Sequence, residues 1–350
     1  MSSDQLKNPS KHRQRLRAVL LALGVVSLTA VSAVVTFKVM DGESSRHTTT
    51  QVNPSAPRGP SAPRGTTSIP KSTTSCGGAL NTPGGPDPWG GCWPGSGNTG
   101  PRAGIALTPY AGQVRPDGSC VITTDTVISG KTIACQIIVN SGNLTLEDSS
   151  LTGEVYNYGS GSVLIKDTTI NGGSAATETV LGSNITIESS NLYGNQHEVY
   201  CGDNCTVENS WLHDNHDFGS SGHQNGFLSN GGSHYTLEHN SVYCVGGCTA
   251  DITFIPDDDI SHATVDKNLL VATHYASYCL DPSSNHPAKP GVVSGMVVTD
   301  NVFQRGANGK CAYYGPVYGW DTPNNSPGTD GYGDVWSGNM WDNGQALGTP

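Results

Sequence analysis

Leu237-Glu238-His239-Asn240-Ser241-Val242 is one of eight copies of a six-residue phrase, apolar-x-x-(Asn/Ser/Thr)-x-apolar, in a chain of 350 residues. The copies begin at Leu146, Ile165, Ile187, Val207, Leu237, Val265, Val298 and Trp336. Their fourth positions hold Ser149, Thr168, Ser190, Ser210, Asn240, Asn268, Asn301 and Asn339; their sixth hold Leu151, Ile170, Leu192, Leu212, Val242, Leu270, Phe303 and Trp341. The starts lie 19, 22, 20, 30, 28, 33 and 38 residues apart. A period of about 20 that stretches without losing its phrase describes a solenoid, with one constant turn per coil and insertions confined to other loops.

Two short strands flank a sharp bend in each copy, and Asn at the bend tolerates a left-handed backbone. Coils stacked about 4.8 Å apart set each Asn over the next, so their amides can bond along the stack. The first and sixth positions then face inward. A β-sandwich gives no reason for one polar residue to recur at one place in every unit. The expected fold is all-β, a right-handed parallel β-helix of eight or nine coils over 136–350, with 76–135 as an N-terminal cap. A third strand is expected ahead of the phrase at 136–139, 154–158, 178–181, 198–201, 226–229 and 251–255, continuing at 275–280 and 311–314.

The ends read differently. Residues 1–17 form a basic tail with Lys7, Lys11, Arg13, Arg15 and Arg17, and residues 18–37 carry no charge. That length suits an uncleaved membrane anchor, with cleavage at Val31-Ser32-Ala33 as the alternative. In either case the rest is exported and the basic flank stays in the cytoplasm. Residues 38–75 form a stalk that writes Pro-Ser-Ala-Pro-Arg-Gly twice at 54–65, a composition that cannot bury a core.

Ten cysteines, all beyond the stalk, point to disulfides in an oxidising exterior. Order along the chain suggests Cys76 with Cys92, Cys120 with Cys135, Cys201 with Cys205, Cys244 with Cys248, and Cys279 with Cys311. Pairing across coils, between 201/205 and 244/248, stays open. Beyond residue 75 there remain 8 of the 18 Lys+Arg and 26 of the 29 Asp+Glu, so the exported part is near −18. Such a surface repels polyanions. Nucleic acid is excluded as a partner, uronate-rich polymers are disfavoured, and a neutral extracellular or cell-wall glycan fits better.

Nine of the eleven histidines fall between His197 and His286. The period first breaks after Val207, where His213, Asp214, His216, Asp217 and His223 gather in one long loop. Such residues serve as general acids and bases, as N/O metal ligands, or simply as partners for turn backbones. For glycoside hydrolysis, Asp214, Asp217 and Asp251 supply carboxylates, with Glu198 one coil earlier and His216 and His223 beside them. For a metal, His213, His216 and Asp217 form one set of candidates. Asp257, Asp258 and Asp259 form another, suited to Ca²⁺ or merely solvated. The C-terminal aromatics, Tyr313, Tyr314, Tyr318, Trp320, Tyr332, Trp336 and Trp341, read either as a plug for the last coil or as a sugar-stacking platform.

The phrases, clearest at 235–242, resemble the β-helix repeats of the pectate-lyase-like superfamily. Gly97-Asn98-Thr99-Gly100, His223 to Leu228 and Trp336 to Asp342 are similar to exported β-helix proteins of Gram-positive bacteria. Those proteins usually read His-x-Asp-Gly-Ile-Gln where this chain has His223-Gln224-Asn225-Gly226-Phe227-Leu228, so His223 and Gly226 match and the acid is replaced by Asn225. The resemblance implies the fold. It leaves open lyase, hydrolase, isomerase or non-catalytic function. Two readings follow: a membrane-anchored protein that binds or processes extracellular polysaccharide, by hydrolysis if catalytic, and a non-catalytic structural or adhesive surface protein.

Overall fold

The computed structural model describes residues 75–174, 178–216, 223–282, 289–320 and 333–350. The basic tail, the apolar segment at 18–37, all but the last residue of the stalk, and Asp217 lie outside them. No described helix is long and apolar enough to cross a membrane.

The described residues form a parallel β-helix. Each full coil gives one strand to each of three sheets, here called leading, middle and trailing, with eight, nine and ten strands among the described residues. Neighbouring strands pair in parallel, one coil on the next. The coil around the second copy, Ile165 to Ile170, is typical. Val155–Asn157 belongs to the leading sheet, Val163–Lys166 to the middle and Thr169–Asn171 to the trailing sheet. Alternation places Val163 and Ile165 in the core and turns Leu164 and Lys166 outward. The apolar first and sixth positions are buried from Leu146 and Leu151 through Val298 and Phe303, while Trp336 and Trp341 pack half-buried against the core.

The polar fourth position forms the expected ladder. Ser210 N–H donates to Asn240 Oδ1 at 2.9 Å, Asn240 N–H to Asn268 Oδ1 at 2.9 Å, Asn268 N–H to Asn301 Oδ1 at 2.8 Å, and Asn301 N–H to Asn339 Oδ1 at 3.0 Å. The Asn amides also bond one to the next at 3.0 Å. In earlier coils hydroxyls take this part, as where Ser190 N–H meets Ser210 Oγ at 3.1 Å. The left-handed backbone, however, belongs to the residue before the ladder: Asp148, Asp167, Ser189, Asn209, His239, Lys267 and Asp300, with φ between 46° and 54°. That residue makes the bend and points outward. The ladder residue keeps an ordinary backbone and is aimed into the core.

The leading strands lie close to their expected places, from Gln136–Val139 to Cys248–Phe254. Only Leu280–Asp281 is a strand in the 275–280 region, and 311–314 adds backbone rungs without becoming one. All five disulfides join cysteines in chain order, none pairs 201 or 205 with 244 or 248, and no cysteine is free.

The stretch expected to cap the helix, 76–135, divides in two. Ser119–Ile122, Thr126–Ser129 and Lys131–Ile133 already make a coil. Residues 75–107 instead run lengthwise over the trailing sheet, from the last coils back to the first. Asn81 is tied to the far end, its amide donating to Asp342 O at 2.8 Å and its carbonyl accepting from Gln304 Nε2 at 2.6 Å. Trp93 is fully buried on Leu269, Val271 and Val302, apolar residues that trailing-sheet strands would otherwise show to water, and it stacks on His239. Gly100 N–H reaches Ser189 O, and Arg102 grips Asp148. At Gly100, with φ +86°, a Cβ would lie 2.5 Å from Thr169 Oγ1, so only glycine lets the strap lie this close.

Candidate functional site

The outer face of the leading sheet carries a polar track, set by parallel register. Glu178, His197 and Asn225 are neighbours on three successive strands. Asn225 sits where the resembling proteins carry an acid, and it is 1% exposed with every amide group engaged. Its Oδ1 accepts from Thr253 Oγ1 at 2.5 Å and Ala250 N–H at 3.3 Å; its Nδ2 donates to His223 O at 2.8 Å and to His197 Nδ1 at 3.3 Å. An aspartate could make the first two bonds but not the last two. Because Nδ1 of His197 accepts, its proton resides on Nε2. Burial, with help from His223, lowers His197 to about 4 and keeps the ring neutral. His223 continues the track through Thr249 Oγ1, 3.3 Å from its Nδ1. At the other end Tyr156 OH stands 3.4 Å from Glu178 Oε2. Burial raises Glu154 on the coil before, against hydrogen bonds from its own backbone, Asn195 and Gln136.

The track leads onto a shelf of aromatic rings. Residues 273–279 and 311–318 are pinned by the Cys279–Cys311 disulfide and by backbone bonds from Tyr313 to Ala276, Tyr314 to Ser277 and Tyr318 to Leu280. Tyr278 N–H bonds Thr249 O, which joins shelf to track. Tyr278 lies 5.7 Å from Tyr314 and 5.0 Å from Tyr318, centroid to centroid, and His274 lies beside Tyr275 and Tyr313. Tyr275 is 67% exposed, Tyr313 57%, Tyr314 62% and Tyr318 37%, far more than a plug would leave. The tryptophans do the plugging: Trp320 packs edge-on against Trp336, whose Nε1 donates to Leu347 O. Tyr332 lies outside the described residues.

The other candidates are distributed rather than gathered. His213 is buried on the trailing sheet, stacked on Trp211 and Tyr193, with Nδ1 at 2.9 Å from Asp214 Oδ2 and Nε2 at 2.7 Å from Asn191 Oδ1. Burial lowers it, while Asp214 pulls it upward. His216 has its backbone tied to Asn195 and Gln224. Asp251 and Glu198 are fully buried beneath the turns between trailing and leading sheets. Asp251 Oδ1 accepts Cys244 N–H at 2.9 Å, and Glu198 Oε2 accepts Thr179 Oγ1 at 2.7 Å. At Gly226, in the same column, a Cβ would meet the core residue Val242 at 2.3 Å, so this column faces inward. Neither carboxyl reaches a ligand on the outer face. Burial pushes Glu198 up to about 8 and Asp251 well above the usual carboxylate range.

The three consecutive acids diverge. Asp257 pairs with Lys289, Asp259 accepts Val292 N–H at 2.9 Å, and Asp258 N–H bonds Asn230 O. Among the described residues only Asp251, Cys279 and Cys311 bring three potential metal ligands within 4.8 Å, and there the two sulfurs are bonded to each other. Reading by sequence overlooked Glu178, His197, Thr249, Tyr275 and Tyr278. Counting register from Val155, Val180 and Val199 would have placed the first two. No protein-family model matches the chain, and no curated protein or solved structure shows a significant match to it.

Proposed function

We propose that this is an exported protein that binds neutral extracellular polysaccharide, with the tyrosine shelf holding sugar rings and the leading-sheet track bonding their hydroxyls. The observation that carries the reading is the exposure of Tyr275, Tyr313 and Tyr314 on a disulfide-pinned support. Exposed rings held rigid stack on the apolar faces of sugars at low entropic cost. Five disulfides favour an oxidising exterior. The acidic surface favours neutral over uronate polymers. Membrane anchoring through 18–37, a right-handed winding, and kinship with exported pectate-lyase-like proteins of Gram-positive bacteria belong to the same reading.

A panel of neutral and acidic polysaccharides on an array tests it: the purified chain is expected to retain neutral glycans. Retention of none, or of uronates alone, would overturn it. Hydrolysis is a second reading, favoured by Glu154 near Glu178, where burial raises the first and the second stands next to His197. It requires reducing ends to appear with the native chain and to vanish with Glu178→Gln.

A further inference from the structure

The outer face of the middle sheet holds an open groove of about 460 Å³, apart from the track and shelf, lined in part by Asn184, Asn204, His234 and His262. These four form one column on successive coils, all with left-handed backbone, at φ 56°, 56°, 64° and 56°. Between the asparagines the amides bond, Asn204 Nδ2 to Asn184 Oδ1 at 3.0 Å. Where the column changes to histidine, two exposed rings lie nearly parallel, 5.1 Å between centroids and 4° between planes.

The hydrogen bonds around His234 determine which nitrogen is free. Ser233 Oγ lies 3.1 Å from Asp203 Oδ1 and gives its only proton there. The same oxygen, 2.9 Å from His234 Nδ1, must therefore accept, so Nδ1 carries the proton and Nε2 keeps its lone pair. A hydroxyl, itself held by the Asp203 carboxylate, that accepts from the far nitrogen orients the ring as the outer partners of metal-ligating imidazoles do. The ring of His262 has no hydrogen-bond partner among the described residues. Glu208 and Glu238 stand outward along the same sheet and add negative charge to it, while Asp266 is paired with Lys267.

We propose that His234 and His262 chelate a divalent transition-metal ion, of the Zn²⁺, Cu²⁺ or Ni²⁺ class that imidazole suits, bridging two successive coils, with water completing the coordination. Bonds of about 2.0–2.1 Å require the rings to tilt toward each other, which their exposure permits.

The test is calorimetric titration of the EDTA-stripped full chain with Zn²⁺ near neutral pH, alongside His234→Asn and His262→Asn. Asparagine already occupies this column, so both variants keep the backbone, and circular dichroism checks that they fold. The expected result is one saturable site, weakened about tenfold or more in each variant and unchanged in Asp257→Asn. Absence of saturable binding, or binding that survives both histidine replacements, would overturn the proposal.

Discussion

Glu198 shows how much one buried side chain sets. Its carboxyl rises from an ordinary 4.5 to about 8, chiefly through burial, so the folded chain holds a proton that the unfolded chain releases. The stability this group permits is complete below 4.5 and is lost as pH rises toward 8. At about 1.4 kcal/mol per pH unit, that loss is on the order of 5 kcal/mol. Glu198→Gln, which stays neutral, is expected to flatten this pH dependence in denaturant titrations and to be the more stable form at pH 8. An unchanged slope would show that Glu198 is not its source. Asn268 bears on the ladder: its replacement by alanine leaves Asn240 N–H without its acceptor and Asn240 Nδ2 with Val207 O alone. The expected cost is about 2–3 kcal/mol, with Asn268→Ser losing less because Ser210 fills the same place two coils earlier.

At the scale of elements, the phrase displayed its own geometry because one polar residue and two apolar ones recur in register. Two adjacent polar residues share each bend, however, as with Asn209 and Ser210 or Asp300 and Asn301. Only hydrogen bonds between coils tell the left-handed one from the ladder one. The course of the strap was not legible, since it has no period and joins residues as distant as Asn81 and Asp342. Its apolar partners Leu269 and Val302 sit at outward positions, the one hint that something covers them. Trp93→Ala is expected to cost about 3–5 kcal/mol in chemical denaturation. Opening the Cys76–Cys92 disulfide in the same strap removes about 3 kcal/mol by loop entropy. Should Trp93→Ala unfold like the native chain, the strap would be an ornament and not a clasp.

For the whole molecule, the rigid stack is what gives its surfaces meaning. The stretch after the break in period at Val207 sends its polar residues to different faces, His213 to the trailing sheet and His223 to the leading track, while Asp251 lies in the buried turn column. Sequence order could not separate them, because loop residues a few positions apart leave the coil in different directions. The shelf was half legible, through Tyr313, Tyr314 and Tyr318; Tyr275 and Tyr278 join it only because the next coil lies alongside. The most direct test of the glycan reading is the dissociation constant of the purified chain for the neutral polysaccharide it retains best, compared with Tyr314→Ala and Tyr313→Ala. A shelf that stacks sugar predicts a loss of about 1–2 kcal/mol, roughly tenfold, in each variant with the thermal midpoint unchanged. Equal affinity in all three would contradict it.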